Sequence, residues 1–185
     1  MSIAARISVI AMCVVSSIAS AQDEAWRGKG WCRIDYPPDQ GPPPRLNLPR
    51  WVCGLTNEKQ LDATYAVYEG MNPFFVSGDF DGDGKTDVAV WVMNKRTKEL
   101  GVIILHRGSR AMFVLGAGNR GERGSDWRNR DQWTLYPKAP LARSSHEPPP
   151  PPRLKGDALW FSKSESLSYF VYWDGQGYKY YQETD

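Results

Sequence analysis

The run Gly78-Asp79-Phe80-Asp81-Gly82-Asp83-Gly84-Lys85-Thr86-Asp87, followed by Val88-Ala89-Val90-Trp91-Val92, leaves this chain few ways to fold. Four aspartates occupy positions 1, 3, 5 and 9 of one short loop. Ionised carboxylates held that close repel one another unless a cation sits between them. Their alternate spacing turns the side chains toward a common centre. Gly82 and Gly84 allow the positive φ angles that a tight wrap needs. The backbone carbonyl of Lys85, at position 7, adds one more oxygen. An all-oxygen set of this size suits a hard cation of flexible geometry, and Ca²⁺ fits best. Asp-Gly clusters also form plain turns, but four aspartates in this register point to the metal.

An EF-hand opens with the same D-x-D-x-D-G but needs a bidentate Glu at position 12. Position 12 here is Val90. Phe74-Phe75-Val76 before the loop and the β-branched run after it are strand signatures, not amphipathic helices. A D-x-D-x-D-G-x-x-D loop between two strands resembles the FG-GAP/VCBS repeat, the calcium-loop unit of integrin alpha-chain propellers and of many bacterial secreted proteins. The resemblance covers about residues 73 to 107. It implies β-structure, Ca²⁺ in the loop and a role in adhesion or recognition. It carries over to Asp79, Asp81, Asp83, Lys85 through its carbonyl, and Asp87, and to no other residue. Propellers need several blades, and this chain has one intact loop.

The amino terminus reads as a leader. Arg6 gives a positive start, Ile7 to Val15 is apolar, and Ala19-Ser20-Ala21 is an A-x-A cleavage site. That is a secretory signal peptide over residues 1–21, with the mature chain starting at Gln22. Its apolar stretch is too short to span a membrane, and no other segment reaches that length. The expected location is periplasmic or secreted. Of the three cysteines, Cys13 lies in the leader, which leaves Cys32 and Cys53. An even pair in an oxidising compartment reads as a disulfide. Residues 22–55 form a Pro-rich segment tied by that bridge. Pro37-Pro38, Pro42-Pro43-Pro44 and Pro49 lack donors and fix φ, so a surface strap is expected.

Residues 56–185 read as one β-domain. Thr56 opens a short helix, with the threonine as its cap. Strands are expected over Thr64–Tyr68, Phe74–Ser77, Val88–Met93, Glu99–His106, Ala111–Leu115 and Gln132–Tyr136. The continuous apolar run of the third predicts burial on both faces. Leu167–Trp173 and Tyr178–Tyr181 form a hairpin around Asp174-Gly175. Strand signals about every ten residues predict an all-β fold with antiparallel sheets, a compact sandwich or blade-like unit. Residues 156–181 echo the first unit as a degenerate second repeat, with Gly156-Asp157 matching Gly78-Asp79.

Alternation places Tyr169, Val171 and Trp173 on one face of the final hairpin, and Phe170 and Tyr172 on the other. Tyr178 and Tyr180 share a face. Cross-strand packing is the ordinary role of such residues. The sharper reading is a ligand or partner surface of Trp173, Tyr178, Tyr180 and Trp127, because Tyr and Trp combine apolar area with a polar handle. The Gly- and Arg-rich stretch 116–130 reads as a solvated connection, with anion binding as the sharper alternative. The net charge of +2 falls to +1 once Arg6 leaves, so nothing calls for nucleic acid.

Only His106 and His146 can act as bases near neutral pH. Catalytic sites assemble from separate segments, and no G-x-S-x-G, H-E-x-x-H or phosphate loop occurs. The expected function is therefore non-catalytic: an exported calcium-binding module for protein interaction, adhesion or inhibition. The alternative is a carbohydrate-binding module using the aromatic hairpin. The partner is a protein or a surface glycan.

Overall fold

The computed structural model describes residues 30–32, 48–142, 150–163 and 167–183. The expected signal peptide, most of the Pro-rich strap and His146 lie outside the described residues.

Two antiparallel sheets form the body. The first contains β1 (Tyr65–Val67), β2 (Phe75–Gly78), β3 (Asp87–Asn94), β4 (Leu100–Leu105) and β5 (Met112–Gly116). The second contains β6 (Gln132–Tyr136), β7 (Ala158–Lys163), β8 (Leu167–Trp173) and β9 (Tyr178–Glu183) in consecutive order. In the first sheet, β1 and β2 share one edge of β3, pairing with its second and first halves. Both sheets therefore carry a four-strand meander: β2-β3-β4-β5 and β6-β7-β8-β9. Strand for strand, β7 stands where β3 stands. Gly156-Asp157 leads into β7, so its counterpart is the end of the acidic loop at Thr86-Asp87 rather than Gly78-Asp79.

Alternation along the strands sorts residues between layers. Val88, Val90, Val92, Ile103 and Leu105 face a helical layer. Ala89, Trp91, Val102 and Ile104 face the second sheet, against Trp133, Leu159, Phe161, Tyr169 and Val171. Strand β3 is buried on both faces except at Met93, as its unbroken apolar run predicts. The outer face of the second sheet is covered in turn. Ala158, Phe170 and Tyr181 pack against Leu141 and Leu154, with Tyr136, Trp160 and Tyr172 alongside. Each fully buried large apolar side chain contributes about 1.5–3 kcal/mol relative to exposure.

The helical layer differs from expectation. Helix α1 spans Arg50–Glu58 and α2 spans Leu61–Thr64. Thr56 is not a cap: it lies inside α1, buried, and its hydroxyl donates to the carbonyl of Cys53 at 3.1 Å. Pro49 precedes the helix, its carbonyl accepting from Val52 N–H at 2.9 Å. The helix runs through residues 55 and 56, across the expected change from Pro-rich segment to β-domain. Its buried face of Val52, Cys53, Leu55 and Thr56 packs onto the first sheet. Cys53 is bonded to Cys32, with the Cα atoms 5.7 Å apart. That bridge anchors a short 3₁₀ turn, Gly30–Cys32, whose Trp31 donates its indole N–H to the Tyr65 carbonyl at 3.0 Å.

Candidate metal centre

The acidic loop connects β2 to β3 at the end of the first sheet that abuts the second. Backbone N–H groups curl it inward. Asp79 accepts from Gly82 N–H at 2.9 Å and from Gly84 N–H at 3.0 Å, one on each carboxylate oxygen. Asp81 accepts from Asp83 N–H at 3.1 Å, and Asp83 from Lys85 N–H at 2.8 Å. Gly82 and Gly84 adopt φ of 79° and 83° to make this turn.

The result is one cluster of carboxylates. Asp79, Asp81 and Asp83 each offer an oxygen within 4.8 Å of the others, so the three can hold a metal ion together. Each oxygen that accepts one N–H keeps a second lone pair for a cation. Lys85 sends its exposed ammonium to within 3.7 Å of Asp83. Asp87 stands apart from Asp79 and Asp83. It groups instead with Asp81 and His106, again within 4.8 Å.

Asp87 is fully buried, and its two oxygens accept from Phe80 N–H at 3.1 Å and Arg107 N–H at 2.8 Å. Burial pushes its carboxyl up to about 7; the charge of Asp81 adds to this, and the backbone donors oppose it. His106 is equally buried. Its Nδ1 lies 3.1 Å from Asp81 Oδ2, and its Nε2 lies 2.6 Å from the Tyr178 hydroxyl. Burial pushes the imidazole below its ordinary value, against the attraction of Asp81. A neutral ring fits both contacts, donating from Nδ1 to the carboxylate and accepting from the phenol at Nε2. Tyr178 is held well above its ordinary range by burial, with the charges of Asp87 and Asp81 adding to it.

The loop is also tied directly to the second sheet. Asp79 N–H donates to Asp157 Oδ2 at 2.9 Å, and Asp157 N–H donates to the Asp79 carbonyl at 2.7 Å. The other oxygen of Asp157 accepts from Lys138 N–H at 2.9 Å. His106, Tyr178 and Asp157 were not singled out for this centre by the sequence. The signal for His106 was register: β3 and β4 pair Val88 with Leu105, so one step further sets Asp87 opposite His106.

The four aromatics expected at a ligand surface point toward the first sheet. Trp127 is fully buried between the sheets and belongs to no surface. Its ring meets Trp91, Phe161, Tyr169 and Tyr180 edge-on. Trp173 and Tyr178 pack on Phe113 and His106 with ring centres 5.0 to 5.8 Å apart. Tyr180 is half-buried on the same side. Alternation sorted the faces correctly; Trp127 is buried away from any surface, while Trp173, Tyr178 and Tyr180 pack toward the first sheet and stay partly exposed.

No protein-family model matches this chain, and neither the curated proteins nor the solved structures searched contain a match.

Proposed function

We propose that this chain is an exported, calcium-stabilised β-domain that works as a non-catalytic interaction module of the adhesion or inhibitor type. Asp79, Asp81, Asp83, the Lys85 carbonyl and Asp87 are the Ca²⁺ ligands in this reading, the first three carboxylates lying together and Asp87 meeting them through Asp81, and the ion is structural. The observation that carries it is the position of the acidic loop. It sits at the joint of the two sheets, hydrogen-bonded to Asp157 on one side and connected to Tyr178 through His106 on the other. A cation there would offset the mutual repulsion of the aspartates and lock the joint. The likeness of the loop to FG-GAP/VCBS repeats supports Ca²⁺ and a recognition role. His106 is buried with both nitrogens engaged, which suits a structural histidine better than a general base. Among the described residues no helix is long and apolar enough to cross a membrane.

The test is thermal unfolding of the protein in EDTA, then with Ca²⁺, then with Mg²⁺. An ion that binds only the folded state adds about 2.7 kcal/mol at a hundredfold excess over Kd. For a chain of this size that raises Tm by roughly 5–10 °C. Asp79→Ala and Asp83→Ala should each abolish the rise. If the variants respond to Ca²⁺ as the wild type does, the loop is only a turn. Saturable binding on a glycan array would favour the carbohydrate-binding alternative.

A further inference from the structure

The connection between β5 and β6 is pinned more firmly than a solvated linker. Gly118 N–H donates to the Ser125 carbonyl at 2.9 Å, and Ser125 Oγ donates to Glu99 at 2.7 Å. Asp126 accepts from Leu100 N–H at 3.0 Å, and Trp127 N–H donates to the Leu100 carbonyl at 2.9 Å. With Trp127 sealed in the core, the arginines on either side of it are fixed in place.

Two of them converge on one ring. The Arg123 Cζ lies 5.0 Å from the centre of Tyr169 and 5.7 Å from Tyr180. The Arg130 Cζ lies 5.7 Å from Tyr169 and 5.2 Å from Trp127. Arg130 donates to the Tyr169 hydroxyl at 3.0 Å, to the Arg123 carbonyl at 3.1 Å and to Asn129. Each of these acceptors is neutral. Arg123 has no protein acceptor among the described residues, and its Nε is buried without one. No carboxylate of the described residues lies within ion-pair distance of either guanidinium. Of the nearby acids, Asp126 is engaged by Arg128 and Glu99 by Ser125, while Glu122, whose charge acts on Tyr180 alongside that of Arg123, stays outside ion-pair distance.

Two neighbouring like charges are costly, and a half-buried guanidinium with unspent donors more so. Contact with the aromatic faces contributes attraction without using the in-plane N–H groups. The N–H groups of Arg123 that no protein group among the described residues accepts from offer a fork that matches an oxyanion, and Arg130, whose donors are partly engaged, adds its charge beside it. We propose that Arg123 and Arg130 form a binding site for a tetrahedral oxyanion, a sulfate or phosphate group, over Tyr169 and Tyr180. The site is built without the acidic loop and does not depend on a bound cation. The anion can come as a free ion or as an ester on a larger molecule.

Nitrogen-15 NMR of the arginine Nε–H groups tests this on the whole protein in Ca²⁺-containing buffer. Sodium sulfate probes the free ion and glucose 6-phosphate the ester, each against sodium chloride at matched ionic strength. Saturable shifts of the Arg123 and Arg130 signals are expected with one or both probes. Response to sulfate identifies a free-ion site, and tighter response to the sugar phosphate identifies an ester site. Arg123→Gln should weaken binding by about tenfold or more, while Arg120→Gln changes it less than about twofold. If Arg123→Gln does not fold, Arg123→Lys retains the charge but not the fork and should weaken binding by about threefold or more. Shifts that match chloride, or saturation that survives both Arg123 variants, overturn the proposal.

Discussion

Asp87 shows how one side chain serves two ends of a loop. Its oxygens hold Phe80 N–H at the start of the turn and Arg107 N–H beyond β4. Asn in its place has one acceptor oxygen and would aim an amide donor at one of those N–H groups. Asp87→Asn should therefore destabilise by about 1–3 kcal/mol, the cost of an unsatisfied buried donor, read by denaturant unfolding in EDTA. A variant as stable as the wild type would show that the two bonds carry nothing. The pH dependence has a definite sign. The folded-state carboxyl of Asp87 is raised from 3.8 to about 7, so this group's stabilising contribution is full below about 4 and is lost as pH rises through 7. His106 acts oppositely. Its lowered value means stability is lost as pH falls below its ordinary 6.5. The two slopes oppose each other below pH 6.5 and mask one another in the wild type. His106→Gln removes one of them. Its Tm in EDTA should fall as pH rises from 5 to 7.5; a level profile would mean that burial does not hold the Asp87 proton.

At the scale of elements, the strands were plain from β-branched runs and turn residues, and each expected strand from Thr64 to Tyr181 has a counterpart in the fold. Helix α1 was misplaced because Pro49 and the proline-rich stretch before it obscured its start. Its buried Val52, Cys53, Leu55 and Thr56 carry the helical spacing that would have revealed it. The acidic loop was visible as a run of aspartates, but its partners were not. Asp157 reaches it from the other sheet, and His106 through a strand register that alternation alone does not fix. The loop's two glycines separate packing from strain. At Gly84 an added Cβ meets nothing within 4 Å, so Gly84→Ala costs only the positive φ, about 1–2 kcal/mol. At Gly82 the Cβ would lie 2.4 Å from the Lys155 carbonyl, backbone that leads into β7. Gly82→Ala must push the loop off the second sheet. It should lower Tm by more than Gly84→Ala and weaken the response to Ca²⁺. Equal Tm losses in the two variants would show that the loop and the lead-in to β7 do not press on each other.

For the whole molecule, the layers divide the work of stabilisation. The disulfide lies in the core between helices and first sheet, with Val88, Val90 and Val92. Phe80 of the acidic loop lies in the core between the sheets, with Trp91, Trp133 and Phe161. The first sheet is the wall common to both. Reducing the bridge releases a loop with a sequence separation of 21 and should cost about 3 kcal/mol on the chain-entropy account. Perturbations without shared partners add to within about 0.5 kcal/mol. The Tm increment given by Ca²⁺ should then be the same in reduced and oxidised protein, although both melt lower when reduced. Scanning calorimetry of the four states measures this directly. A smaller increment in the reduced protein would mean that the helical layer holds the β2–β3 end of the first sheet in the shape the cation needs. The wall between the two cores would then transmit strain, and the bridge and the acidic loop would be parts of one device.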